Sequence, residues 1–278
     1  MADKTKIDWA DATWNPVTGC LHGCEYCYAR NIATRFSGYN HSDFCDAVAF
    51  DGKKAEIKSP LSITLKNGKT IRAAYPFGFV PTLHRYMLEP GNDGELTAPQ
   101  AWQRPRNIFV CSMADLFGAW VPDEWINEVL AACRRAPQHR YLFLTKNPDR
   151  YDDLEDKGII TEADQNFWLG STVTVETRDK LHWSRKLHTF QSCEPMLAPW
   201  PQAGKPNEKY RGAWPEWVIF GAETGNRKEK VIPEKGWIDN AVKMCRNIGA
   251  AVFMKESLRE IMGPDFIQEF PWEVNSNA

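Results

Sequence analysis

At 278 residues the chain accommodates one large domain or two small ones, and its formal net charge of −2 gives no global basic field that would advertise nucleic acid or an anionic membrane, although a local basic groove remains compatible with it. No apolar run approaches the about 20 residues of a membrane helix, and Met1–Lys6 leads into polar and aromatic residues, so neither a membrane span nor a signal peptide is expected. Eight cysteines are too few for a disulfide scaffold and point to a reducing cytoplasm with one metal site.

Thr13–Thr18 has the composition of a short strand ending at Gly19, with Pro16 confining it to an edge or interrupting it. Cys20-Leu21-His22-Gly23-Cys24-Glu25-Tyr26-Cys27 follows, three thiols in C-x3-C-x2-C spacing with an aromatic before the last. Tyr28–Phe36 then has helical spacing, with Ile32 and Phe36 on one side. Strand, thiol loop and helix form a first βα unit.

From about 37 to 104 the helical period is lost, and Gly, Pro, Asn and Asp recur. Ser62–Lys66 and Lys69–Arg72 around Asn67-Gly68 read as a β-hairpin with a type I′ turn, for which Asn-Gly supplies the positive φ angles. Pro76–Pro90 is aromatic and is expected to pack onto the main body. The whole region is read as an insertion, a lid or substrate platform, in a single domain spanning 1–278. Lys53, Lys54, Lys58, Lys66, Lys69 and Arg72 make it locally basic, which suits a phosphate-tracking surface or simply a solvated hairpin face.

Regular alternation begins at Asn107–Ser112, a buried strand, followed by a helix over Pro122–Ala136 with Trp125, Ile126, Val129, Leu130 and Cys133 on one face. Strands are expected at Tyr141–Leu144, Phe167–Val173, Thr189–Cys193, Trp217–Phe220 and Ala251–Met254. Helices are expected at Pro148–Asp156, Glu176–Leu187 and Trp237–Ile248, the last ending at Gly249. Short apolar strands alternating with amphipathic helices indicate parallel βαβ units, and the count of six or seven strands favours an α/β barrel, open or closed. Twelve tryptophans are assigned chiefly to packing.

In such folds chemistry gathers at the C-terminal ends of the strands. Those ends are polar here: Ser112 and Asp115, Thr145 and Lys146, Ser171 and Thr172, Glu194, Glu223, and Lys255. Glu194, Glu223 and Lys146 are the catalytic candidates, the two glutamates being held by Pro or Gly neighbours just after a strand. No Walker loop, G-x-G-x-x-G or H-E-x-x-H competes with them.

Three readings of Cys20, Cys24 and Cys27 stand side by side. They bind three irons of a [4Fe–4S] cluster, leaving the fourth iron open. Alternatively they bind zinc, with His22, His41 or Cys45 as fourth ligand. In the third reading they are ordinary buried thiols, which three in eight residues disfavours.

The loop, with Tyr26 before its last cysteine, resembles the cluster loop of radical S-adenosylmethionine enzymes. Thr13–Cys20, Ser112–Phe117, Leu144–Lys146, Ser192–Pro195 and Gly221–Gly225 extend the resemblance to an often phage-encoded branch of that superfamily, distantly similar to spore photoproduct lyase. The resemblance implies a partial (β/α)6 TIM-like barrel with the insertion after its first βα unit. It further implies S-adenosylmethionine chelated by the open iron and cleaved to a 5′-deoxyadenosyl radical by an external one-electron reductant. Tyr26 would meet the adenine through its backbone, Ser112 and Asp115 the methionyl amine, and Ser171 and Thr172 the ribose or carboxylate. By the same analogy the substrate is a nucleobase in DNA, a thymine substituent hypermodified, isomerised or repaired, in the host cytoplasm if the chain is phage-encoded. The alternative from another class is a non-catalytic Fe–S or zinc protein that binds nucleic acid or a protein partner.

Overall fold

The computed structural model describes residues 5–37, 48–64, 67–91, 97–174, 177, 182–184, 186–200, 214–224 and 227–274. The chain divides into two compact units: Met1–Thr5 with Ala10–Tyr141, and Lys6–Trp9 with Leu142–Ala278.

In the first unit, the Thr13–Thr18 stretch is broken at Asn15-Pro16 into β1 (Ala12–Trp14) and β2 (Val17–Thr18). Proline removes an amide donor from the ladder, and the two halves enter different sheets. Helix α1 (Tyr28–Arg35) follows the thiol loop. Its buried face is Ala29 and Ala33, while Tyr28, Ile32 and Phe36 are exposed. The helix is as expected and Ile32 and Phe36 share one side of it; that side is the exposed one.

The region after α1 contributes β3 (Val48–Phe50), β4 (Ala55–Ile57), β5 (Ser62–Thr64), β6 (Thr70–Arg72) and β7 (Thr82–His84). β5 and β6 form the expected antiparallel hairpin, but Ile63 faces Ile71, which centres the turn on Asn67. Gly68 has a positive φ of 78° and Asn67 does not, so this is not the two-residue type I′ turn the sequence suggested. The other three strands and β2 make a second sheet in the order β2-β7-β4-β3. β2 pairs antiparallel with β7 and leads directly into the thiol loop. The inserted region is therefore woven into the strand that carries the cysteines. Lys66 lies outside the described residues, while Lys53, Lys58, Lys69 and Arg72 are exposed.

β8 (Asn107–Val110) pairs in parallel with β1, and α2 (Asp123–Arg134) buries the predicted face of Trp125, Ile126, Val129, Leu130 and Cys133. The chain crosses from one unit to the other within β9 (Arg140–Thr145).

The second unit continues with α3 (Asp149–Asp156), β10 (Phe167–Thr172), β11 (His188–Cys193), β12 (Trp217–Phe220), α4 (Lys235–Ile248) and β13 (Ala251–Met254). α4 ends as expected at Gly249, φ 75°, the left-handed cap that glycine adopts without Cβ strain. The hydrogen-bonded order of the main sheet is β1-β8-β9-β10-β11-β12-β13, and β10–β11, β11–β12 and β12–β13 pair in parallel, as β1–β8 does. The mixed α/β class with a parallel sheet matches the expectation. Half of the proposed helix Glu176–Leu187 lies outside the described residues; the rest of it, Thr177, 182–184 and 186–187, is not helical.

Every side chain of β12 and β13 is buried, as parallel strands covered on both faces require. Val218, Phe220, Val252 and Met254 pack with Ile238, Ala241 and Cys245 of α4 in one core. Trp9, Trp14, Trp102, Trp125, Trp168, Trp183, Trp200 and Trp217 are buried, so packing is the main use of the tryptophans. Among the described residues no helix is long and apolar enough to cross a membrane.

Candidate functional site

The thiol loop is built on a tight crossing of main chains. Gly19, φ 87°, donates its amide to Met113 O at 2.9 Å, and a Cβ there would lie 2.2 Å from Val80 O. Only glycine fits, by conformation and by space. Cys20 N donates to Phe79 O at 3.2 Å, so the residues before β7 hold the entrance to the loop. At the exit, Cys27 is the N-cap of α1, its sulfur accepting from Arg30 N at 3.4 Å.

Between these ends, His22 Nε2 meets Asp115 Oδ2 at 2.7 Å, and its ring stands edge-on to Trp120 at 4.8 Å. Asp115 is buried and its other oxygen accepts from Phe117 N at 3.1 Å. Tyr28 donates its hydroxyl to Ser112 O at 2.6 Å; Ser112 Oγ and Met113 N both reach Asn15 Oδ1, at 3.1 and 3.0 Å. Cys111, directly before Ser112, has φ 59°, a left-handed conformation rare outside glycine, and is buried. Ser112 and Asp115, expected at the cofactor, are thus brought to the thiol loop. Tyr26 lies in the same loop, partly buried between Cys24 and Cys27.

Cys20, Cys24 and Cys27 are free and partly exposed. Burial pushes the Cys20 thiol up to about 12, and the charges of Asp115, Cys24 and Cys27 push the same way. Three thiols gathered in eight residues suit a metal centre, because coordination deprotonates a thiol outright. Their sulfurs are not all within 4.8 Å of one another, a spacing that among the described residues only Asp152, Glu155 and His182 meet. Thiolates on one tetrahedral zinc, with bonds of about 2.3 Å, stand about 3.8 Å apart. His41 and Cys45, the remote zinc ligands considered, lie outside the described residues.

The second unit positions the other candidates. Glu194 follows β11 through a cis Glu194–Pro195 bond. Its carboxylate accepts from Ser192 Oγ at 3.0 Å and pairs with Lys255 Nζ at 2.8 Å. Burial raises its pKa, against the opposing pull of Lys255 and the Ser192 hydroxyl. Glu223, after β12, takes a two-point bond from Arg227, at 2.6 and 2.7 Å, and another from Val231 N at 3.2 Å. The Arg227 bond holds its carboxyl below the usual range despite burial. Glu194 and Glu223 therefore have separate cationic partners and opposite tendencies to ionise. Gly225, the end of the Gly221–Gly225 motif, lies outside the described residues.

Ser171 and Thr172 end β10 and are buried. Ser171 Oγ accepts from His182 N at 3.1 Å, and Thr172 O from the Thr177 hydroxyl at 2.6 Å. Lys146 follows β9 and is partly exposed.

Sequence reasoning missed three relationships. Nothing marked His22 as the partner of Asp115, 93 residues away. Arg227 stands four residues after Glu223, a readable spacing that was not used. Asp152 and Glu155 show a helical three-residue spacing on α3, but their partner His182 comes from elsewhere.

Fold and site together define an α/β protein with a cysteine-rich candidate metal centre. The chain belongs to the family described as protein of unknown function DUF5131, whose family model matches residues 4–259. No curated protein and no solved structure matches it.

Proposed function

We propose that this chain is a radical S-adenosylmethionine enzyme that acts on a nucleobase in DNA. The observation that carries the reading is the C-x3-C-x2-C loop itself: three free, partly exposed thiols between the short strand β2 and the N-terminus of α1. Cys20, Cys24 and Cys27 would hold three irons of a [4Fe–4S] cluster, and the remaining iron would take S-adenosylmethionine. When bound, that pair supplies a one-electron route to hydrogen abstraction from the substrate, with an external reductant as electron source.

The chain's own part is to hold and orient. The His22–Asp115 bond fixes the middle of the loop, and Tyr28 and Asn15 fix the Ser112 turn beside it. With Asp115 engaged by His22 and the Phe117 amide, Ser112 is the better contact for the methionyl amine, and Tyr26 offers its backbone to the adenine. On this reading the parallel sheet is a partial (β/α)6 barrel, with Lys146, Ser171, Thr172, Glu194 and Glu223 at its strand ends. Glu194, whose burial raises its pKa beside Lys255, is the carboxyl group better suited to take up and give back a proton. Glu223, saturated by Arg227 and Val231, is suited to shaping.

The nucleobase assignment rests on the resemblance to spore photoproduct lyase and on the exposed Lys53, Lys58, Lys69 and Arg72. A hypermodified or damaged thymine is the substrate class it favours.

Anaerobic reconstitution with iron and sulfide, then dithionite and S-adenosylmethionine, tests the reading. A [4Fe–4S] absorption and 5′-deoxyadenosine formation are expected, both abolished by Cys24→Ala. A reconstituted cluster that yields no 5′-deoxyadenosine, with or without DNA, would overturn the enzyme reading in favour of a non-catalytic Fe–S protein. One equivalent of zinc and no iron in the loop would overturn the cluster. Mass spectrometry of DNA nucleosides from cells with and without the gene tests the substrate: unchanged nucleosides argue for a small molecule or peptide instead.

A further inference from the structure

A second constellation lies wholly within the second unit and apart from the thiols. Asp152 and Glu155 stand three residues apart on α3, and His182 is brought against both. His182 Nδ1 is 3.2 Å from Asp152 Oδ1, and Nε2 is 3.4 Å from Glu155 Oε1. The histidine side chain is 1% exposed, while the carboxylates are 23% and 32% exposed, so water reaches the group from the acidic side only.

The spacing separates this trio from the other histidine–carboxylate pairs. His22–Asp115 closes to 2.7 Å and His188–Glu216 to 2.8 Å, the range of a charge-assisted hydrogen bond. The trio stands at 3.2 and 3.4 Å instead, one carboxylate to each ring nitrogen and each wider than a charge-assisted hydrogen bond. One ligand atom from each residue lies within 4.8 Å of the other two. The ring nitrogens face different carboxylates, so an ion would take one nitrogen and draw the second carboxylate a short way towards it.

We propose that Asp152, Glu155 and His182 bind a divalent transition-metal cation of the zinc type, with one imidazole nitrogen, two carboxylate oxygens and water in the remaining positions. Imidazole with carboxylates suits such an ion better than the purely oxygen-seeking calcium or magnesium. Charge agrees: two carboxylates balance a dication, whereas a lone imidazolium leaves one negative charge over.

The second shell already has the form a metal site needs. His182 N donates to Ser171 Oγ at 3.1 Å, and the Tyr151 ring lies 5.1 Å from the imidazole. The Tyr151 hydroxyl donates to Gly170 O at 3.2 Å. A bound ion would therefore pin α3 and the residues around His182 to the end of β10, where Ser171 and Thr172 lie. This inference is independent of the thiol loop and of the activity proposed above.

The test is Zn2+ binding to the full chain carrying Cys20→Ala, Cys24→Ala and Cys27→Ala, which removes the competing thiols. After stripping with chelator, calorimetry should give one zinc per chain, retained on gel filtration and raising the melting temperature. His182→Gln and the Asp152→Asn/Glu155→Gln pair should each weaken binding about tenfold or more. Should His182→Gln fail to fold, the carboxylate pair, which lies towards solvent, decides. No stoichiometric zinc in the thiol-free chain, or equal affinity in the carboxylate variant, would overturn the site and leave the trio an ion pair.

Discussion

His22 Nε2 sits 2.7 Å from Asp115 Oδ2, tying the middle of the thiol loop to the turn after β8. Asp115 also accepts the Phe117 amide and is buried, whereas His22 keeps a fifth of its side chain accessible. Losing the aspartate orphans two donors; losing the histidine leaves the amide bond intact. Asp115→Ala should therefore cost about 1–3 kcal/mol in urea denaturation, and His22→Ala less. A larger effect for the histidine would contradict this arrangement.

Gly19 and Gly23 make a matched pair within the same loop. Both have positive φ, 87° and 77°, but a Cβ at Gly19 meets Val80 O at 2.2 Å and one at Gly23 meets nothing within 4 Å. Gly23→Ala should cost only the conformational penalty, about 1–2 kcal/mol. Gly19→Ala adds a main-chain collision and should cost at least about 1 kcal/mol more, with loss of iron uptake. Thermal melts and iron content of the two variants check the order.

Glu223 makes acid stability depend on Arg227. The Arg227 bond lowers the folded pKa of Glu223, so its stabilisation is fully present above the unfolded carboxylate value of about 4.3 and is lost as pH falls through the lower folded value. Arg227→Met leaves the Glu223 side chain, 1% exposed, without its cation and should cost about 3–5 kcal/mol at pH 7. The penalty should shrink towards pH 3 as Glu223 protonates. A penalty independent of pH would show that Arg227 acts through packing alone.

Glu194 has the opposite sign. Burial raises its folded pKa above the unfolded value, so its contribution to stability falls as pH rises between those two values. Lys255 opposes that loss at 2.8 Å. Lys255→Met should cost about 2–3 kcal/mol at pH 8, and clearly less at pH 3, below the unfolded carboxylate value of about 4.3, where the carboxyl is neutral in both states. Adding Glu194→Gln should restore most of the loss, and a double-mutant cycle at the two pH values measures it.

Legibility differed from element to element for physical reasons. β12 and β13 were placed residue for residue, because short apolar runs between polar punctuation fit only buried strands. α2 and its buried face were read from periodicity, since five large side chains define one stripe. On α1 the period gives the helix and the shared side of Ile32 and Phe36, but that Ala29 and Ala33 are the buried side is a choice periodicity does not make. The hairpin is legible around Asn67-Gly68, but its register is set by the strand pairing and centres the turn on Asn67.

The order of the cysteines, the alternation of strands and helices, and the polar character of the strand ends are properties of the linear chain; spacing and hydropathy determine them without reference to distant residues. Partner choice is not. That Asp115 serves His22, that Glu194 answers to Lys255, and that His182 joins two carboxylates of α3 depend on long-range pairing, which no local pattern encodes. Even the three thiols acquire their scaffold only in the fold, where β2 and β7 pair and Gly19 lets the main chain pass against Val80.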